Sequence, residues 1–531
     1  MKSTIRRLGL VCLVFLLSQM SALSVTPIAE GMDIYGHLAY LDFFTAQRRA
    51  PRPGELSMAD WIVTLRQDMP GPDLSESGER YRRWAGLSAD DKRLIAARRP
   101  AISDPDVYIQ ANNQSQHPPL YYALLSPLYR VMKPNLEVGT QLFILGLASA
   151  CIAALALPGL YLILRRHFDK SASLIALLAL AWFPNFLPFL GRITNDALAF
   201  PLVVWSVYLC LRCRDSESRA PLLAAGATIA IAGFAKTYAL TLWPLYVACA
   251  FFGVYGRRWR MAGLAIAISA VGVGALVGYN LATTGHAILL REMVANEAIP
   301  LSDVIMSLIR LNLVWFFGGV AKGFWWFGYQ SFVSPGLLFY APLGLAPILL
   351  LFQRRASWPG ILREVWPHLL AIVSFVGGMA WHAANFTLLA RLRGQAAFSG
   401  NEGWYADVLV GSFAVVALVL LKARLSARAF RPTIAAIAIF MVCWNVWART
   451  ALAAFWTGQV GTGRVAEEGI LRGILWSQAI PALLSPDALG HWLSLPGVIG
   501  PVPVLAVVPL LIAIGTTLAL LQNWPTPETR T

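Results

Sequence analysis

Glu30, Asp33, His37 and Tyr40 recur at intervals of three and four residues. On a helix over 30–41 lying along a membrane surface, the four would share one face. Ile34, Leu38 and Leu41 would then turn toward lipid. A carboxylate beside an imidazole at this spacing suits two chemistries. One is a general base held by a partner; the other is a pair of ligands for a divalent cation. An amphipathic surface helix with a solvated polar stripe would show the same pattern. Asp33 and His37 are the candidate catalytic pair, and Glu30 is a candidate substrate contact.

A second group is His117-Pro118-Pro119-Leu120-Tyr121-Tyr122. Paired prolines hold the chain extended before a helix, and proline is tolerated in a first helical turn. His117 would be fixed at the mouth of that helix, with two phenols below it. A rigid connector carrying interfacial aromatics would read the same way. A third group is Gly191-Arg192-Ile193-Thr194-Asn195-Asp196. Asn195 and Asp196 can cap the helix that follows. Arg192 can grip a phosphate or carboxylate with two parallel bonds, and either a phosphate-bearing ligand or Asp196 would satisfy it. Lys236 closes an apolar run on the same side; it either snorkels to the interface or adds a second cation for a lipid-linked phosphate. Trp404 and Tyr405 bring rings to the outer rim, and the aromatics of 315–332 either form an interfacial girdle or line a groove for sugar or prenyl.

These groups need a scaffold, and composition says which kind. Of 531 residues, 57% are hydrophobic and 13% charged, about half the charged share of a soluble domain (about 25%). Mean hydropathy is +0.59. Apolar runs of about 20 residues recur from end to end, the length that crosses a bilayer as a helix. The shorter alternation of a membrane barrel is missing. The expected fold is an all-α integral membrane protein with about 12 transmembrane helices and a large first extracytoplasmic loop. Spans are expected near 8–25, 139–164, 171–190, 196–212, 220–235, 237–254, 261–281, 335–353, 366–385, 405–422, 433–452 and 498–521. Residues 1–25 form the first span, retained rather than cleaved as a signal peptide. Residues 26–138 form an extracytoplasmic subdomain, with short helices at 56–69, 76–86 and 88–99. Residues 139–531 form the polytopic domain, with outer loops at 283–335 and 453–497.

The net charge of +15 does not signal nucleic acid. Basic clusters at Arg6-Arg7, Arg165-Arg166, Arg212 to Arg219, Arg257 to Arg260, Arg354-Arg355 and Lys422 to Arg431 follow every second apolar run, so the charge records topology. An even number of spans puts both termini in the cytoplasm. The six cysteines avoid the long outer loop, which argues against a disulfide framework. Cys210 and Cys213 have metal-like spacing but no second pair. No Gly-Lys-Ser/Thr phosphate loop occurs, so ATP hydrolysis within the chain is not expected.

An acidic residue just after the first span, the His-Pro-Pro-Leu-Tyr-Tyr run, the Arg-x-x-Asn-Asp hairpin and aromatic outer loops together resemble the GT-C membrane glycosyltransferases. That class includes protein O-mannosyltransferases and lipid A aminoarabinose transferases. The stretch Gly323-Phe-Trp-Trp-Phe-Gly328 and Gly403-Trp404-Tyr405 resemble further motifs of related multi-pass bacterial proteins. The family's first loop commonly carries two adjacent acids, whereas here Asp33 is followed by Ile34, leaving Glu30 or His37 to substitute. The resemblance implies an inverting transfer of a hexosyl or pentosyl group from a polyprenyl-phosphate donor to an extracytoplasmic acceptor, at a bacterial inner membrane. Asp33 then matches the catalytic base. His117, Tyr121, Arg192, Asn195, Asp196, Lys236, Trp404 and Tyr405 are the candidate substrate contacts. No cofactor is required beyond a possible divalent cation, and the partners are the lipid-linked sugar, membrane lipid and an acceptor. Two other readings stay open: a transporter or flippase, whose path intramembrane charges would mark, and a non-catalytic subunit of surface-polysaccharide assembly.

Overall fold

A computed structural model describes residues 2–25, 33–68, 87–98, 107–186, 190–253, 258–284, 301–324, 358–392, 403–456 and 502–522. The chain is mostly helical. Helix α1 (Lys2–Val25) is followed by α2 (Ile34–Gln47), strand β1 (Leu56–Ala59), α3 (Asp60–Asp68), α4 (Ala89–Ala96) and strand β2 (Tyr108–Ala111). Next come α5 (Leu120–Met132), α6 (Val138–Ala154), α7 (Ala156–Leu164), α8 (Lys170–Ala181), α9 (Asp196–Asp215), α10 (Ala220–Ala235) and α11 (Trp243–Phe251). The described remainder is α12 (Arg258–Thr284), α13 (Leu301–Ile309), α14 (Leu313–Phe324), α15 (Trp358–Leu392), α16 (Val410–Arg424), α17 (Ala427–Trp456) and α18 (Val502–Gln522).

Seven stretches among the described residues are long and apolar enough to cross a membrane: Thr4–Ser24, Val138–Leu164, Asp196–Asp215, Arg258–Thr283, Trp358–Asn385, Tyr405–Arg424 and Ala427–Arg449. The protein is thus a multi-pass helical membrane protein. Four expected spans correspond to shorter apolar helices, Lys170–Ala181, Ala220–Ala235, Thr237–Phe251 and Val507–Gln522. The span expected at 335–353 and the helix expected at 76–86 lie outside the described residues, as does most of the outer loops. The fold-back after α10 is sharp. Lys236 leaves the helix with extended backbone (φ −157°, ψ 127°), and a 3-10 turn over Thr237–Leu242 reverses the chain into α11.

Two cores divide the molecule. The larger fills the bundle, where Phe15 of α1, Phe186, Phe200 of α9 and Tyr246 of α11 are almost fully buried. The smaller joins α2, β1, α3 and α5 to Leu145, Ile193, Ala197, Trp444 and Trp447. Its existence overturns one expectation. Ile34, Leu38 and Leu41 do not face lipid; they are 2%, 2% and 0% exposed. Apolar residues of the outer subdomain, Met58, Ile62, Leu65 and Ile95, complete this core and share the burial. Lateral ties also hold α2 inside. Asp42, on α2, accepts from the Tyr129 hydroxyl at 2.7 Å and pairs with Lys133 Nζ at 2.8 Å, fixing α2 to α5.

The helix expected over 56–69 is half strand. Leu56–Ala59 pairs antiparallel with Tyr108–Ala111, and only Asp60–Asp68 is helical. The partner strand lies about 50 residues downstream, and such long-range pairing leaves no local signature. The helix expected at 88–99 forms over Ala89–Ala96.

Candidate active site

The site is built where α2, the turn before α5, the α9 hairpin and the α10–α11 fold-back meet at the smaller core. Asp33 stands at the head of α2. Its backbone is left-handed (φ 53°, ψ 22°), a conformation that Asp tolerates better than most non-glycine residues. Its carbonyl accepts the first helical bond, from the His37 N–H at 2.9 Å. Its side chain makes no capping hydrogen bond. An Asp at this position ordinarily spends its carboxylate on the helix N–H groups; among the described residues this one does not. Backbone strain of this sort clusters at functional sites.

One turn on, His37 Nδ1 and the Tyr122 hydroxyl share a 2.7 Å hydrogen bond. The His37 ring stacks parallel to His117, with centroids 6.0 Å apart. Tyr40 stacks on Tyr122 at 3.7 Å and donates to the His117 carbonyl at 3.0 Å. The His-Pro-Pro run has the expected shape. A 3-10 turn over Asn113–Gln116 ends at an extended His117 (φ −82°, ψ 144°), and α5 begins directly after Pro119. Asn112 locks this turn onto α2, its Nδ2 donating to the Gly36 carbonyl at 2.7 Å and its Oδ1 accepting from the Gln114 N–H at 2.9 Å. Glycine is needed at 36, since a Cβ there would lie 2.6 Å from Gln114 Cγ.

Burial sets the protonation of this group. It lowers His37 to about 3, helped by the positive charge of Lys236, while Asp196 opposes the shift. His37 is therefore a neutral imidazole at neutral pH. Burial also raises Tyr122 well above the usual phenol value, with the charges of Tyr40, Tyr121, Asp196 and Asp33 adding to the shift. The phenol keeps its proton. These couplings place Asp33, Tyr122, His37, Asp196 and Lys236 within one electrostatic neighbourhood.

The second half of the site is ionic. Lys236 is 7% exposed and pairs with Asp196 at 2.5 Å, so it does not snorkel. The fold-back after α10 turns it inward, and Asp196, the first residue of α9, compensates it. The other Asp196 oxygen accepts from the Tyr238 hydroxyl at 2.7 Å, and the Thr194 hydroxyl reaches Asp196 Oδ2 at 2.9 Å. Asn195 makes no side-chain cap; its Nδ2 donates to the Ala235 carbonyl at 3.3 Å. The capping role expected for Asn195 and Asp196 thus gives way to ties with the fold-back. Tyr121 links the two halves, sharing a 2.7 Å bond with Ser149 and accepting from the Thr194 N–H at 3.0 Å. Arg192 is buried in the same hairpin. Lys236 Nζ lies 4.7 Å over the ring of Tyr405, which brings in the segment before α16.

Glu30 and the side chain of Trp404 lie outside the described residues. Three further residues belong to the cluster. Tyr122 stands in the His-Pro-Pro-Leu-Tyr-Tyr run as its second phenol, and Tyr238 lies two residues after Lys236. Asp407 is 1% exposed and accepts from Asn185 Nδ2; an acid at the mouth of an apolar run was legible as a signal. No group of three metal-ligating side chains converges among the described residues. His37 Nδ1 is taken by Tyr122.

Residues 116–277 match the family profile described as dolichyl-phosphate-mannose-protein mannosyltransferase. That segment holds His117, Tyr121, Arg192, Asn195, Asp196 and Lys236, and over it the chain is similar to GT-C membrane glycosyltransferases. No curated protein matches the chain. Among solved structures, the Archaeoglobus fulgidus oligosaccharyltransferase in complex with Zn and sulfate is 13% identical, with TM-score 0.38, covering 84% of this chain and 53% of its own. ArnT from Cupriavidus metallidurans bound to undecaprenyl phosphate is 16% identical, with TM-score 0.37, covering 87% and 74%. The archaeal oligosaccharyltransferase AglB from A. fulgidus, in complex with an inhibitory peptide and a dolichol-phosphate, is 12% identical, with TM-score 0.37, covering 92% and 59%. This chain spans about half the length of the archaeal enzyme, and likeness this distant places no constraint on its reaction.

Proposed function

We propose that the protein is a glycosyltransferase that moves a sugar from a polyprenyl-phosphate donor to an acceptor hydroxyl outside a bacterial inner membrane. The observation that carries this reading is the uncapped carboxylate of Asp33, set at the head of a buried helix in the same cluster as Lys236. In the reaction, the acceptor oxygen attacks the anomeric carbon while the bond from that carbon to the phosphate oxygen breaks. Asp33 takes the acceptor proton, and the prenyl phosphate leaves with the bonding pair. A single displacement inverts the anomeric centre. Lys236 and Arg192 meet the growing charge on phosphate, where fixed charges in a buried site act most strongly. Asp196, Tyr238 and Thr194 hold Lys236 in place. His37 is a poor base at about 3; it orients Tyr122 and His117 beneath the acceptor.

The test uses purified protein, prenyl-phosphate sugars and candidate acceptor hydroxyl compounds. Asp33→Asn is expected to lose turnover and to keep its fold and its binding of prenyl phosphate. Equal turnover in both proteins removes Asp33 from the mechanism. One observation favours transport instead: Arg449, 3% exposed at the end of the Ala427–Arg449 span, bonds among the described residues only to the neutral Asn445 and Ser18. Sugar crossing liposomes without bond formation would carry that second reading.

A further inference from the structure

The inner end of the bundle holds a second buried cation, and its surroundings differ from those of Lys236. Arg424 closes α16, in the basic segment Lys422 to Arg431. It is 5% exposed. Its Nε, Nη1 and Nη2 are all buried, and none has a hydrogen-bond partner among the described residues. Among the described residues no carboxylate lies within ion-pairing reach of it. The nearest acid along α15, Glu364, bonds His167 at 3.2 Å. The guanidinium carbon lies 5.6 Å over the ring of Trp358, the first residue of α15.

We propose that Arg424 and the first turn of α15 form a binding site for a phosphate anion at the inner membrane surface. A buried guanidinium with three unused nitrogens demands an anion, because desolvation without a counter-charge is among the costliest arrangements in a protein. Its planar fork suits the oxygens of a phosphate. The start of α15 adds to the attraction: Pro359 has no N–H, but those of Trp358, Gly360 and Ile361 lie in the first turn, where N–H groups have no intrahelical acceptors and the positive end of the dipole favours anions. Trp358 is 39% exposed, so one ring forms the outer wall and can turn aside to admit the ligand. Lys422 on α16 and Arg363 on α15 are exposed, and such basic residues concentrate anions near an inner leaflet.

The site is separate from the outer cluster. The 15 residues of α16 span roughly 22 Å at 1.5 Å per residue, with Asp407 just before one end and Arg424 at the other. The inference therefore stands whether or not the proposed transfer reaction does. The phosphate has two possible sources, the headgroup of an anionic phospholipid or soluble phosphate, and the experiment tells them apart.

The full-length protein is delipidated in detergent, then given phosphatidylglycerol, phosphatidylcholine or inorganic phosphate. Retained lipid is counted by native mass spectrometry, and amide exchange is followed over 358–366. Phosphatidylglycerol is expected to bind and slow exchange there, phosphatidylcholine much less. Protection by inorganic phosphate alone assigns the soluble source. Arg424→Gln should weaken binding about tenfold, the effect of losing a charged hydrogen-bond donor. Arg424→Lys should keep part of it, and Arg428→Gln nearly all. If Arg424→Gln does not fold, the wild-type exchange and Arg424→Lys decide the matter. Unchanged wild-type exchange over 358–366 with both ligands, or binding by Arg424→Gln equal to wild type, overturns the site.

Discussion

Lys236 and Arg424 are both cations buried in the bundle, at opposite ends. Lys236 has Asp196 at 2.5 Å, and that acid is itself held by Tyr238 and Thr194. Arg424 has one aromatic ring and, among the described residues, no acid. The first cation is compensated by the chain, so its neighbourhood is ordered before any ligand arrives. The second leaves its compensation to something outside the chain. The contrast separates a preorganised site, whose failure should show in the reaction, from a recruiting site, whose failure should show in binding and stability.

The strongest way to sharpen the contrast is Asp33→Asn, expected to lower turnover by about 10²- to 10⁴-fold, the usual worth of a general base, with prenyl-phosphate binding intact. Lys236→Met should then destabilise the protein by about 3–5 kcal/mol, the cost of stranding one member of a buried pair, read as a lower unfolding midpoint in detergent. Lys236→Met combined with Asp196→Leu should recover much of it, since no charge is left alone. Failure to recover would make the pair more than a compensated couple.

His37 gives a prediction in pH. Its value in the fold, about 3, lies below the unfolded value of about 6.5. Between those values the unfolded chain binds the extra proton, so stability rises with pH. The contribution is complete above about pH 6.5 and is lost as pH falls toward 3, on the order of a few kcal/mol. Unfolding midpoints measured across this range should slope for the wild type and flatten for His37→Gln. Gly36→Ala should cost about 1–3 kcal/mol by overpacking against Gln114. Arg428→Gln, exposed at the inner face, should stay within about 0.5 kcal/mol of wild type.

Much of the site could be read before the fold. His37 stacks on His117, Tyr121 bonds Thr194 beside Asp196, and Lys236 meets Asp196 and Tyr405; these candidates could be picked out early because an acid, an imidazole or a lysine beside an apolar run is an anomaly visible in a sequence. Misreadings came where a residue's surroundings are made by distant chain. Lys236 looked like a snorkelling cation because the acid that holds it lies 40 positions away. Leu38 looked lipid-facing because the cover over α2 comes partly from residues beyond 50. Arg424 looked like one more positive-inside charge, and only its burial against Trp358 sets it apart.

Sequence was enough to dictate a helical membrane protein with a basic face and a polar first loop, because apolar run length and charge placement are properties of the chain taken a few residues at a time. Which charges are buried, which acid answers which base and where a carboxylate is left unspent came from packing. Those depend on contacts between segments far apart in the chain, and local pattern carries no record of them.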